Sequence, residues 1–560
     1  MTESVNEIKL NETFEMPYEN NEYTKYNPLH KELGINLITN VKYEKKLTYN
    51  KYEIIDKNGV KKECFKKFIT LVDYVKFLIG KYKNDNIQIL PGQKELEKES
   101  EKESEINKIE TSKISDISDI IEISNSDSLF NEYINCYHNY AYVDGFFYYL
   151  TSTLLEKGFI HGLDFYDSYI CISKECEINI VNDFEYLCDS NFFSEKLNNQ
   201  FYFKNENLGD FFNKKEPIVI GDDNEPVEFE EFEELEESKE SKELELELEK
   251  ETEEIDLELD LELNTEIKDT ESDGDSEIEY TDDECDEDYE TESEEASCKS
   301  DTESHESDES EKEEELTLII KKIPTQVIAI EKCEGTFDSL LAQNLLTIEE
   351  LESAIFQIIM MLYVYQHSFD FTHNDLHTNN VMFIYTKEQF LYYKIKNTYY
   401  KIPTFGKIYK IIDFGRAIYK VNNKLVCSDS FSQNGTAHTQ YNFEPFYNKN
   451  KQIVLPNKSF DLCRLACSMI DFIIDDIKQI QKFREVPVYD LIISWLYDDN
   501  GKNVLYKNNG EERYPDFKLY KMIARIVHNH IPDTQFNHPC FNKYKVSQIN
   551  EKFMNIDEYR

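Results

Sequence analysis

The stretch Phe371-Thr372-His373-Asn374-Asp375-Leu376-His377-Thr378-Asn379-Asn380-Val381-Met382-Phe383 sets a carboxylate, Asp375, and a carboxamide, Asn380, five residues apart in a polar loop. Before it, apolar residues recur at helical spacing (Ile355, Ile358, Ile359, Leu362, Tyr365), so a helix is predicted over Ile348–Phe369. After it, Val381–Tyr385 reads as a short strand. The loop is therefore held between two rigid elements. Phosphoryl transfer needs a carboxylate to orient or deprotonate the acceptor hydroxyl, and an oxygen ligand for a magnesium ion on the nucleotide phosphates. Asp375 suits the first task and Asn380 the second.

Further along stands Lys410-Ile411-Ile412-Asp413-Phe414-Gly415-Arg416. An apolar strand delivers one carboxylate, Asp413, and the glycine after it is expected to let the chain turn sharply away. That is how the kinase fold places its magnesium-binding Asp. Asp-Phe-Gly alone is a weak signal, because many strands end that way. Both motifs, in this order and each after the right element, are a strong one.

The region resembles the protein-kinase superfamily. More closely, it is similar to the divergent kinase-like proteins of large DNA viruses. The longer stretches that carry this likeness are Gln440-Tyr441-Asn442-Phe443-Glu444-Pro445, Pro456-Asn457-Lys458-Ser459-Phe460-Asp461-Leu462-Cys463-Arg464-Leu465 and Glu512-Arg513-Tyr514-Pro515-Asp516-Phe517-Lys518-Leu519-Tyr520-Lys521-Met522. The resemblance implies an α+β, bilobal protein-kinase-like fold, with a small β-rich N-lobe interrupted by low-complexity inserts and a helical C-lobe. It implies ATP and Mg2+ as cofactors, and transfer of the γ-phosphate to Ser/Thr hydroxyls of protein substrates. Asp375 would be the catalytic carboxylate, with His377 beside it. Asn380 and Asp413 would be the magnesium ligands, and Asp461 would brace the catalytic loop. Asp413 to Pro445 would be the activation segment.

Gln326 to Asp338 resembles the last N-lobe strand, the adenine hinge and the start of the next helix. The hinge would offer backbone groups from Glu331 to Cys333. Asp338 would either reach the ribose or cap its helix. The phosphate-pairing lysine falls in Cys64-Phe65-Lys66-Lys67. Viral relatives favour Lys67, whereas Lys66 would set the small Cys64 over the adenine. Its carboxylate partner is expected on the following helix, at Asp144.

Three departures matter. No G-x-G-x-x-G precedes Lys67, so the usual cover over the phosphates is missing. Asn374 replaces the Arg that commonly grips a phosphorylated activation loop, so that switch is not expected. His377 replaces the usual Lys, and it carries full charge only near or below its reference pKa of about 6.5. In addition, Thr386–Tyr409 reads as an enlarged hairpin near the active-site mouth. Two other readings follow from these departures: a small-molecule phosphotransferase, and a non-catalytic scaffold.

Composition sets the boundaries. The formal net charge is −52 over 560 residues, and −39 of it lies between Pro226 and Glu315, where 45 Asp and Glu face 6 Lys. This marks residues 206–315 as an acidic, disordered insert, and the Glu/Lys/Ser/Ile-rich residues 93–127 as a second low-complexity insert. Residues 1–92 and 128–205 are left for the N-lobe, and 316–560 for the hinge and C-lobe. Ser272-Asp273-Gly274-Asp275-Ser276-Glu277 and Ser307-Asp308-Glu309-Ser310-Glu311 resemble acidophilic kinase substrates. Strands are predicted at Tyr52–Ile55, Glu63–Ile69 and Asp164–Ile172, a turn at Asp56–Gly59, and helices over Phe68–Leu78 and Tyr142–Leu155. No basic surface argues for nucleic acid, and no stretch argues for a membrane span. The 12 scattered Cys read as reduced thiols. Together these features imply a soluble, intracellular protein (in the host cytoplasm or virion if viral).

Overall fold

Tyr52 and Ile54 are buried in the strand Lys51–Ile55, while the residues flanking them are only half-buried. This alternation is that of a strand with one face on a core. The chain turns at Asp56–Gly59, where Gly59 has φ +77° and donates its N–H to the Asp56 carbonyl. It returns as the strand Lys61–Thr70. Phe68 and Ile69 therefore belong to this strand and not to a helix. The helix begins only at Tyr74, where the Asp73 side chain accepts the N–H groups of Val75 and Lys76.

In the computed structural model the described residues are 23–35, 37, 41–82, 90–91, 125–204, 316–433, 435–474, 477–507 and 509–559. The acidic tract at 206–315, with its serine motifs, lies outside them, as does 93–124 of the other low-complexity insert. All the described residues fall in one compact unit, which joins the chain before the acidic tract to the chain after it. Among them the architecture is mixed α+β. No helix among them is long and apolar enough to cross a membrane.

Six strands form an antiparallel sheet in the order Tyr23–Thr24, Phe165–Ser173, Ile323–Glu331, Lys61–Thr70, Lys51–Ile55, Lys42–Lys46. The strand Ile323–Glu331 comes from beyond the acidic tract yet lies at the centre, with Lys67 opposite Ile328 and Cys64 opposite Glu331. The helix Tyr140–Glu156 packs on the sheet, and Gly145 permits its close approach. A Cβ at Gly145 would stand 2.1 Å from the Gln326 amide nitrogen.

The rest is built on the helix Ile348–Phe369, which opens with a capping box between Thr347 and Glu350 and is buried along most of its length. The strands Gly335–Thr336, Val381–Tyr385 and Lys407–Ile411 form a small antiparallel sheet that frames both motif loops. An aromatic core ties those loops to the helix Tyr140–Glu156. The Phe147 ring lies 4.4 Å from Phe371 and 4.6 Å from Phe414.

The predicted hairpin forms, as the strands Phe390–Ile395 and Thr398–Pro403, but it does not serve the active-site mouth. It is completed into a four-stranded sheet by Lys545–Val546 and Met554–Asn555. Tyr393 and Tyr400 pack against Phe356 of the long helix. Buried aromatic surface has drawn the hairpin onto the C-terminal segment instead.

Candidate active site

Successive side chains of a strand point to opposite faces, so Lys66 and Lys67 cannot share a site. Lys66 is fully buried on the face of Cys64, with its ammonium 4.0 Å from the Tyr43 ring and 4.2 Å from the Tyr52 ring. Burial lowers its pKa to about 8. Lys67 faces the other way. Its Nζ lies 2.9 Å from Asp144 Oδ2 and 2.7 Å from Asp413 Oδ1. On the Lys67 face the residue two positions back is Phe65, so the small Cys64 is not available to lie over a base.

Each member of this triad sits on a separate element: a strand, a helix and a loop. Asp144 is buried, and its second oxygen accepts the N–H of Phe414 at 2.5 Å. Burial raises the Asp144 pKa, and the Lys67 ammonium opposes the rise. Lys67 also pulls Asp413 below the ordinary carboxylate range. Burial works against the Lys67 charge, but its two carboxylates raise its pKa well above the ordinary value. At neutral pH the lysine is charged and Asp413 is ionised.

Asp413 itself has φ +66°, and its N–H donates to Tyr148 Oη at 2.9 Å. The left-handed residue of the Asp-Phe-Gly turn is thus the aspartate, whereas Gly415 is not among the positive-φ glycines. A non-glycine residue held there is a strained backbone that its surroundings must fix. The Tyr148 and Asp144 hydrogen bonds supply that fixing.

The backbone of the loop that carries Asp375 is held by a further carboxylate. The fully buried Asp461 accepts the N–H groups of His373 and Asn374, at 2.9 Å each. His373 Nε2 lies 2.9 Å from the Ile412 carbonyl, and Nδ1 accepts the Asp375 N–H at 3.3 Å. A carbonyl can only accept, so the ring proton is on Nε2. Asn374 has φ +65° and donates to the Arg416 carbonyl at 2.8 Å, while Tyr441 Oη donates to its Oδ1 at 2.8 Å. A neutral amide here holds the segment after Asp413 directly, with no phosphate needed.

Asn380 donates to the Asp375 carbonyl at 2.9 Å, so its amide oxygen is the atom that could hold a metal. Its own carbonyl accepts the Ile412 N–H at 2.9 Å, so Asn380 and Asp413 are held beside each other. An ionised, half-exposed carboxylate next to an amide oxygen is a donor set that fits a magnesium ion otherwise bound by phosphates.

Asp375 lies in a cavity of about 490 Å3 shared with Asp338, His377, Arg416, Arg464 and Tyr520. Tyr520 Oη donates to Asp375 Oδ1 at 2.9 Å, and Arg416 Nη1 lies 3.5 Å from Asp375 Oδ2. Burial is the main cause of the lowered His377 pKa, so its imidazole is neutral at pH 7.

The remaining expected residues divide. Asp338 is neither a helix cap nor turned away from the loop. Thr336 caps that helix, and Asp338 accepts the Thr378 hydroxyl at 2.5 Å. The Glu331 N–H is spent on the Asp164 carbonyl at 2.8 Å, and its carboxylate meets Lys410 at 3.0 Å. The ladder ends there, leaving Lys332 and Cys333 to offer backbone groups. Lys410, 1% exposed, also donates to the carbonyls of Ile160 at 2.8 Å and Gly162 at 2.6 Å. Sequence reasoning missed Tyr148, Arg416, Lys410 and Tyr520. Of these only Arg416 stood beside a motif, which was a usable signal. Compared with protein-family models and with curated proteins, the chain matches none.

Proposed function

We propose that the protein is an ATP- and magnesium-dependent phosphotransferase with a bilobal protein-kinase-like fold, acting on Ser/Thr or other hydroxyls of proteins. The observation that carries this reading is the Lys67 ammonium bridging Asp144 and Asp413 at 2.9 and 2.7 Å, with the strand end before Asp413 hydrogen-bonded to Asn380 of the Asp375 loop. Lys67 holds a charge that matches nucleotide phosphates, and Asp144 fixes its direction. Asp413 and Asn380 would hold the magnesium, which supplies neutralisation of charge on the transferring phosphoryl group. Asp375 orients the acceptor hydroxyl and receives its proton. Lys332 and Cys333 are the hinge positions left for the base.

The second reading is a scaffold that binds nucleotide weakly or not at all. It is favoured by the turn Leu47–Asn50, which has no glycine to lie over phosphates. Tyr49 of this turn instead donates to the Glu175 carbonyl at 3.1 Å. The two readings separate in one assay. Purified protein is incubated with γ-labelled ATP, magnesium and generic protein substrates, beside the Asp413→Ala variant. Phosphotransfer predicts label that the variant loses. No transfer by either protein supports the scaffold.

A further inference from the structure

An acceptor hydroxyl in such a site must donate its proton to the catalytic carboxylate at hydrogen-bond distance. Tyr520 Oη does this, at 2.9 Å from Asp375 Oδ1. The tyrosine is delivered by the helix Phe517–Ile526, which follows directly on Asp516 with φ +53° and ψ −135°. A non-glycine residue in that region is strained.

The surroundings of the ring fit a phosphorylated phenol. The Arg464 guanidinium lies 5.1 Å and the Arg416 guanidinium 5.8 Å from the ring centroid. Phe517 stacks on the ring at 5.4 Å. Arg464 Nε is buried with no hydrogen-bond partner among the described residues. A buried guanidinium N–H left open costs free energy until an acceptor reaches it, and a phosphate offers three strong acceptor oxygens.

From this geometry we infer that Tyr520 is itself an acceptor, phosphorylated within its own chain and then held by Arg416 and Arg464. The inference rests on the phosphotransferase reading and adds to it a modification site. In the step, Tyr520 Oη forms a bond to the γ-phosphorus of a magnesium-bound nucleoside triphosphate. The bond from that phosphorus to the β–γ bridging oxygen breaks, and its electron pair leaves with the nucleoside diphosphate. The phenolic proton passes to Asp375. The product carries negative charge beside the Asp375 carboxylate, so repulsion moves the phosphate toward the two guanidinium groups and vacates the acceptor place.

The test uses the full chain, first stripped of phosphate by a tyrosine phosphatase. It is incubated with ATP, magnesium and a generic protein substrate at two enzyme concentrations about tenfold apart, and the phosphosites are mapped by mass spectrometry. The expected result is phosphate on Tyr520, with the same first-order rate at both concentrations and none in Asp375→Asn. Label on the added substrate with Tyr520 left bare would overturn the inference and leave the phosphotransferase reading standing, with Tyr520 reduced to positioning Asp375. A Tyr520 rate that rises with enzyme concentration would overturn transfer within the chain. No label on any protein, with ATP bound, would overturn both.

Discussion

At the proposed nucleotide end of the site, Lys67 meets two carboxylates at 2.9 and 2.7 Å. At the acceptor end, Asp375 meets a tyrosine hydroxyl at 2.9 Å and an arginine at 3.5 Å. The first end is closed by its own charges and needs only a ligand that displaces the Lys67–Asp413 contact. The second end is filled by a side chain that stands where an acceptor would stand. On the phosphotransferase reading, charge is preset at one end and access is governed at the other. Substitutions at the first should therefore abolish function, and substitutions at the second should redirect it.

The largest effect is expected from Asp413→Ala, which removes the proposed magnesium ligand and one Lys67 partner. Transfer should fall by about 10^3-fold or more, the scale of a lost electrostatic contact in a transition state, read by incorporation of labelled phosphate. Next comes Asp461→Ala. It deprives the buried N–H groups of His373 and Asn374 of their acceptor, at a cost of about 3 kcal/mol, measured by urea denaturation. At the acceptor end Tyr520→Phe keeps the ring but removes the hydroxyl. It should raise transfer to added protein several-fold by freeing Asp375, measured as initial rate under saturating ATP. A fall in that rate would assign Tyr520 a positioning role.

A separate test of stability is a pH slope. His161 is fully buried, 2.7 Å from Tyr393 Oη and 2.9 Å from the Tyr409 carbonyl, and burial lowers its pKa to about 3. The folded state favours the neutral ring, so this stability is complete above pH 6.5 and is lost as pH falls from 6.5 toward about 3. The loss approaches ~1.4 kcal/mol per pH unit for one group. Denaturation midpoints should fall across that window in wild type and fall less steeply in His161→Gln.

Much of the proposed nucleotide end was legible because its residues lie within or beside motifs. Asn380 and Asp413 follow from spacing, as Asp375 does at the acceptor end, and Asp461 from a resemblance over a long stretch. Lys67 and Asp144 were named as a pair, and strand alternation explains why Lys66 had to face away. The acceptor end was less legible because its contacts join residues far apart in sequence. No periodicity links Tyr520 to Asp375, and nothing local gives Lys410 its three carbonyl and carboxylate partners. The hairpin was read as a shape but not as a location, because its destination depends on aromatic surface contributed by Phe356 and the C-terminal strands. Asp413 rather than Gly415 takes the positive φ because Tyr148 and Asp144 hold that turn from a helix more than 250 residues earlier.

The two adjacent lysines give the most direct test of phosphotransfer through this cleft. Transfer of γ-phosphate from ATP and magnesium is measured for wild type, Lys67→Met and Lys66→Met, each first shown by circular dichroism to be folded. Phosphotransfer through Lys67 predicts activity in wild type and Lys66→Met, with loss of about 100-fold or more in Lys67→Met. Equal activity in all three proteins, or loss in Lys66→Met alone, would contradict it.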